Sequence, residues 1–344
     1  MNTEKWLLYG ANGYTGKLIA KEAIARGHTP TLAGRSEMKL IPMAKEMGLD
    51  YIIFDLNDNN IDKIVSDYDL VFHSAGPYIH TSAPMVKACL KAGTNYLDIT
   101  GEIPVLEQHF KLDIQARQKE MAIIPGAGFD VIPTDCVAKQ LSEKISDATQ
   151  LEIAIALCTE VGCVSPGTLK TVFEYIAPNM LVRREGKLTK IPLGSGSKEV
   201  QFSDINRKVA PTIWADLVTA YVSTGIPNIT VYAPHSKSIV NMMKETKFKK
   251  DKVDEWINEN VHGPSEETQQ TERSHIWAKV ANDNGDEAQL WLETMEAYRF
   301  TAIAAIRSVE KVFELAPKGA LTPSLAFGSN FVLEIPETRL LVSL

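Results

Sequence analysis

The sequence has no apolar run of the ~18 residues that a membrane-spanning helix needs, so no membrane span is expected. It also lacks a long basic stretch. Its 36 Lys and Arg are outnumbered by 43 Asp and Glu, a formal net charge of −7. A nucleic-acid partner calls for the opposite balance. The densest basic segment, residues 244–252, is interleaved with Glu245 and Asp251 and reads as the solvated face of a helix. Cysteine is scarce. Cys89, Cys136, Cys158 and Cys163 match neither a zinc-ligand spacing nor a CxxC pair. They are expected to be four reduced thiols of a cytoplasmic protein, with no metal bound. Several catalytic signatures are missing too. Tyr-x-x-x-Lys, His-x-x-Glu-His and Gly-x-Ser-x-Gly do not occur.

What is present is regular alternation over the first 125 residues. Short apolar runs at 5–9, 29–33, 51–54, 69–73, 95–99 and 121–124 read as strands. Helical patterns separate them at 14–26, 37–47 and 61–66, at a helix capped by Ser82 with Pro84 in its first turn, and at 102–119. Strands alternating with helices imply a parallel sheet covered on both faces, here a doubly wound Rossmann nucleotide domain over 1–125. A strand and a glycine loop within the first ten or so residues do not resemble a signal peptide.

After Pro125 the rhythm changes. Residues 150–158 alternate as a strand, 134–144 and 168–177 are helical, and 186–211 look like hairpins and loops. Asp283-Asn284-Gly285 is a hairpin turn between two further strands. These features describe an α+β second domain over 126–292 with a mainly antiparallel sheet, which can pair across a homodimer axis. Residues 293–314 form an amphipathic helix, and 293–344 are expected to return to the first domain.

The chemistry starts at Gly10-Ala11-Asn12-Gly13-Tyr14-Thr15-Gly16. A strand delivers the chain to a tight turn, and a helix begins at once. The helix start offers unpaired N–H groups and a positive dipole end to a pyrophosphate. Glycines there let the backbone approach the phosphates. The second strand ends at Ala33-Gly34-Arg35-Ser36, with no carboxylate to bind a ribose 2′-hydroxyl. Arg35 can instead pair with a 2′-phosphate and Ser36 can add a hydroxyl, so the expected cofactor is NADP(H). Asp55 closes the third strand, near where the adenine would lie. Ser74, Ala75, Gly76 and Pro77 follow the fourth strand and leave room for the nicotinamide half.

These segments resemble a known family. Tyr9 to Gly16, Ala33-Gly34-Arg35-Ser36, Ala75-Gly76-Pro77-Tyr78, Tyr96-Leu97-Asp98-Ile99-Thr100-Gly101-Glu102 and Gly128-Phe129-Asp130-Val131-Ile132-Pro133-Thr134-Asp135 look like the NADP-binding domain of saccharopine dehydrogenase-like oxidoreductases. Leu321-Thr322-Pro323-Ser324-Leu325-Ala326-Phe327-Gly328 is similar to that family's closing segment. The resemblance is thin from about 180 to 290. The family includes saccharopine reductases, trans-acting enoyl reductases and members without a known substrate. It implies cofactor and reaction type, not substrate.

Hydride transfer to C=O or C=N usually needs a proton donor. Tyr78, Glu102 and Asp130 are the candidates at strand ends. Each also has a plainer role available: packing for Tyr78, helix capping for Glu102, and a cap or hinge for Asp130. Asp98, Asp135, His73 and His80 share the same rim. Arg183 and Arg184 could meet a substrate carboxylate or form an exposed turn. Three readings follow. The first is an NADP(H)-dependent oxidoreductase acting on a C=N, C=O or C=C bond of a small metabolite or acyl chain. The second is a nucleotide-binding regulatory or scaffold protein without turnover. The third is an isomerase, lyase or sugar-modifying enzyme that uses NADP(H) within its cycle.

Overall fold

The computed structural model describes residues 4–159, 161–175, 179–234 and 250–343. The chain divides into two compact units, Met1–Ile132 with Thr301–Gly328, and Pro133–Phe300 with Ser329–Leu344.

The first unit alternates β1 (Trp6–Tyr9), α1 (Tyr14–Ala25), β2 (Thr31–Gly34), α2 (Glu37–Met47), β3 (Tyr51–Ile53), α3 (Ile61–Val65), β4 (Leu70–His73), α4 (Tyr78–Ala92), β5 (Asn95–Asp98), α5 (Ile103–Phe110), α6 (Asp113–Gln118) and β6 (Ala122–Ile124). The strands pair in parallel in the order β6-β5-β4-β1-β2-β3. A short seventh strand, Gly319–Ala320, adds in parallel beside β6. β1 and β4 are buried along their whole length, as central parallel strands under two helical layers must be. The chain winds outward in opposite directions from the β1–β4 pair. That reversal opens a crevice beyond the carboxyl ends of β1 and β4, where such sheets bind ligands.

Three local expectations change. The helix after β4 starts at Tyr78, not Ser82, and Pro84 lies inside it. Its cap comes from a residue far along the chain, described below. The helix expected over 102–119 breaks into α5 and α6 around Leu112. The break lets Phe110 and Leu112 both pack on the core beside Ala116. Finally, residues 293–295 belong to a strand, Glu287–Met295, and the following helix is Ala297–Leu315.

The domain limits shift accordingly. Thr301–Gly328 lies in the first unit. There Glu310 accepts two hydrogen bonds from Arg26, at 2.9 and 2.6 Å, and Asp113 accepts the Ala320 N–H at 2.9 Å. The tail from Ser329 does not return there. It joins the second unit, where Arg339–Leu341 pairs antiparallel with Glu287–Met295.

The second unit carries a mixed sheet. Its main path runs Lys198–Gln201, Asn206–Pro211, Asn228–Ala233, Gln150–Ala156, Arg273–Ala281, Glu287–Met295, Arg339–Leu341. Only the Asn228–Ala233 and Gln150–Ala156 pair is parallel along that path. Asn179–Arg184 pairs with Asn228–Ala233, and Lys187–Pro192 pairs with Asn179–Arg184. Trp277 and Trp291 stand opposite each other in the central hairpin and pack with Phe202, Val209 and Tyr232. The hairpin loop spans 282–286, longer than a two-residue turn, and Gly285 takes φ +90° there.

One expectation about cysteine is corrected. Cys158 and Cys163 form a disulfide, with Cα atoms 5.7 Å apart. The 3₁₀ turn Val161–Cys163 folds the chain back and brings the two within bonding distance, which their spacing alone does not reveal. Cys89 and Cys136 are free and buried.

Phe72 lies fully buried at the centre of β4. We expect Phe72→Ala to lower stability by about 3–5 kcal/mol, read as a lower urea midpoint. A loss under about 1 kcal/mol would contradict this core assignment.

Candidate functional site

The glycine loop has the geometry of an anion cradle. Gly10 follows β1 with φ +83°, a conformation L side chains rarely adopt. A Cβ at Gly10 would lie 2.8 Å from Ala75 Cβ, so the loop after β4 closes directly on the glycine turn. A Cβ at Gly16 would overlap Gly10 O and lie 2.8 Å from Ala11 O, so α1 begins hard against the strand. Gly13 is the N-cap of α1 and supplies no side-chain acceptor. The N–H groups of a first helical turn have no partner within their own helix, and this turn carries no acidic side chain. Polar backbone and the positive dipole end therefore remain for a ligand.

The adjacent residues fit that reading. Asn12 Oδ1 lies 2.9 Å from where a Gly34 Cβ would stand, so Asn12 packs over the end of β2. Arg35 is exposed immediately beyond it. Ser36 is the N-cap of α2, yet its hydroxyl makes no capping bond. Tyr14 and Thr15 are half-buried in the first turn of α1. Asp55 is more committed. Its Oδ1 accepts from Asn57 N at 2.9 Å and Asn57 Nδ2 at 2.7 Å, holding the turn after β3. Beside it, the Tyr9 hydroxyl is pushed up to about 12, first by burial and then by Asp55.

After β4, Ser74 Oγ donates to Tyr9 O at 3.0 Å, and Thr81 Oγ1 donates to Ala75 O at 2.6 Å. Gly76-Pro77 is a cis peptide. The two hydrogen bonds hold Ser74 and Ala75 beside the glycine turn.

Two catalytic candidates are occupied otherwise. Tyr78 turns its hydroxyl inward and donates to His73 O at 3.2 Å, and burial raises the phenol well above its usual range. It is not held at the rim as a proton donor. Glu102, 2% exposed, accepts the N–H groups of Tyr78 and Ile79, both at 2.7 Å. It caps α4 from 24 residues away, which accounts for that helix starting early.

Asp130 differs. It is open to solvent and its Oδ2 would lie 3.0 Å from a Cβ on Gly101, so it sits over the loop after β5. Asp135 is fully buried and His80 is exposed. In the second unit, Arg183 is neither an exposed turn nor open to a carboxylate. It donates to Leu217 O and Gly186 O, both at 2.6 Å, and stacks 4.2 Å from the Tyr221 ring. Arg184 is exposed and reaches Thr230 Oγ1 at 3.1 Å.

Sequence reading placed His73 and Asp98 on one rim but missed the buried cluster they form with Tyr96. His73 and Asp98 end neighbouring strands in register. Tyr96 bridges them, donating to Asp98 Oδ2 at 2.8 Å while His73 Nδ1 lies 3.0 Å from its oxygen. Burial pushes Asp98 up to about 6 and His73 down to about 3. His109, on α5, lies 3.6 Å from Asp98 and is pushed down to about 4 by burial. The only hint in the sequence was a polar residue closing each of two apolar strands.

Residues 6–124 match the family model described as the saccharopine dehydrogenase NADP binding domain. That match runs over the alternating strands and helices of the first unit, from β1 to β6. The expectation of NADP(H) is borne out by that match, and the glycine cradle fits such a cofactor. The chain is 30% identical over 217 residues to the saccharopine dehydrogenase-like oxidoreductase of Bos taurus, covering 54% of this chain and 50% of that one. It is 34% identical over 153 residues to the trans-acting enoyl reductase of Mycobacterium tuberculosis, covering 42% of this chain and 37% of that one. The chain thus spans half or less of the length of these curated relatives. Apo saccharopine dehydrogenase (L-Glu forming) from Saccharomyces cerevisiae aligns with 98% of this chain and 100% of its own, at TM-score 0.66 and 12% identity. That likeness is one of fold.

Two outcomes test the NADP-binding domain's interior. Glu102→Ala should cost about 1–2 kcal/mol, as loss of a helix cap does, read by thermal melting. No change would remove the capping role. The second concerns His109. Unfolded, it takes up a proton near pH 6.5. Folded, it resists protonation until about 4. Its contribution to stability is therefore complete above pH 6.5 and lost as pH falls toward 4. On moving from pH 7 to 5, the stability of His109→Leu relative to wild type should rise by up to about 2 kcal/mol. A pH-independent difference would contradict a neutral buried imidazole.

Proposed function

We propose that this chain is an NADP(H)-dependent oxidoreductase. It would transfer hydride to or from a C=N, C=O or C=C bond of a small metabolite or acyl chain. The observation that carries this reading is the uncapped start of α1 pressed against β1, with exposed Arg35 and an uncapped Ser36 at the end of β2. Gly10, Asn12, Gly13, Tyr14, Thr15 and Gly16 would cradle the pyrophosphate. Arg35 and Ser36 would hold the 2′-phosphate, Asp55 would border the adenine, and Ser74 to Pro77 would border the nicotinamide ribose. The names of the two curated relatives, an oxidoreductase and an enoyl reductase, support the reaction type.

Bound NADPH would supply the hydride. The chain's own task is then to exclude water and manage a proton. Of the three acid–base candidates, Asp130 fits best. Its carboxyl is accessible at the carboxyl edge of the sheet, over the loop after β5, where a side chain can exchange a proton with a substrate. Tyr78 and Glu102 would instead support the loop beside it.

Binding and turnover separate the readings. Arg35→Ala should weaken NADPH binding roughly 10- to 100-fold, the loss of a charge-assisted contact worth about 1.5–3 kcal/mol. NADH binding should change little. Equal losses would remove the 2′-phosphate role. With a panel of imines, ketones and enoyl thioesters, Asp130→Asn should lower kcat by about 100-fold or more. Tight NADPH binding by the wild type with no turnover on any member of the panel would favour the regulatory reading.

A further inference from the structure

The loops after β4 and β5 are tied together by a closed ring of buried hydrogen bonds, and the loop after β6 hangs on one of its members. Thr100 N donates to Asp98 Oδ1 at 2.9 Å. Glu102 N donates to Thr100 Oγ1 at 3.1 Å. Tyr78 N donates to Glu102 Oε1 at 2.7 Å, and Tyr78 Oη donates to His73 O at 3.2 Å. His73 Nδ1 meets the Tyr96 oxygen at 3.0 Å, and Tyr96 donates to Asp98 Oδ2 at 2.8 Å. Because the Tyr96 proton points to the carboxylate, His73 Nδ1–H is the donor to Tyr96. Every member is at most 7% exposed.

The ring joins only the loops after β4 and β5. The third loop enters at one residue. Asp98 Oδ1 also accepts Gly126 N at 3.1 Å, and its backbone O accepts Ala127 N at 2.6 Å. Gly126 sits at φ +75° against Val131, so this loop has little freedom to find another arrangement. Asp130, lying over Gly101, follows within the same loop.

We propose that Asp98 is a positioning residue that sets these three loops against the nicotinamide half of the cofactor, and so governs binding of that half without touching it. The inference rests on the NADP(H) reading. In a doubly wound sheet each half of the strand set serves one mononucleotide. β1, β2 and β3 carry the glycine loop and Arg35, while β4, β5 and β6 carry the loops that the ring holds. A fault in the ring should therefore affect one half of the dinucleotide and spare the other. Burial of every ring member leaves water no route to replace a lost contact, so a broken link moves a loop rather than being resolvated.

The test is equilibrium titration of the full chain with two probes, NADPH and adenosine 2′,5′-bisphosphate, which lacks the nicotinamide half. Two variants are compared with wild type. Asp98→Asn puts an amide where the ring needs an ionised acceptor. Tyr96→Phe keeps the side chain's bulk and the backbone bonds to Asp98, and removes the hydroxyl that links His73 to Asp98 Oδ2. We expect each variant to weaken NADPH about tenfold or more while adenosine 2′,5′-bisphosphate binds as before. Equal weakening of both probes would mean a general structural role and overturn the proposal, as would unchanged NADPH affinity in both variants. Failure of the wild type to bind even adenosine 2′,5′-bisphosphate would overturn the cofactor reading, and this proposal with it.

Discussion

A strand that ends on a left-handed glycine, and a helix that starts beside it without a cap, set the terms for the NADP-binding domain. The turn from Gly10 to Gly16 is so tight that a single methyl group at Gly16 would overlap a backbone oxygen. Such closeness sets the first turn of α1 at the crevice along the sheet's carboxyl edge. No side chain caps that helix start, whereas Ser265 and Thr322 cap theirs. The positive end of the helix dipole at that place suits a bound anion.

Much of this was legible in the sequence because parallel strands are buried on both faces. Leu70-Val71-Phe72 and Trp6-Leu7-Leu8 read as strands since no polar residue interrupts them. The glycine loop and Arg35 were legible because their function depends on position along one short segment. What failed was set by partners distant in sequence. The start of α4 was misplaced because its cap, Glu102, is 24 residues away. The tail strand Arg339–Leu341 is too short to show a period, and its place depends on pairing with Glu287–Met295. The disulfide depends on a single turn between Cys158 and Cys163.

The candidate site was read with the same bias. Each polar residue at a strand end was weighed alone, as a donor or as a cap. The fold shows that several work together. Tyr78 and Glu102 support one loop, Asp98 and Tyr96 hold the next, and Asp130 is left at the accessible edge. A rim of interchangeable candidates thus resolves into buried supports and one exposed carboxyl. The relatives' names agree on redox chemistry but not on substrate, and their matched regions cover half or less of their own lengths. Substrate choice therefore has to be sought outside the NADP-binding domain's shared features.

A crystal structure with NADPH bound tests the central claim most directly. The account predicts pyrophosphate oxygens within about 3 Å of backbone N–H groups in the first turn of α1, with the 2′-phosphate against Arg35. A pyrophosphate bound away from that turn, or a 2′-phosphate held without Arg35, would contradict it.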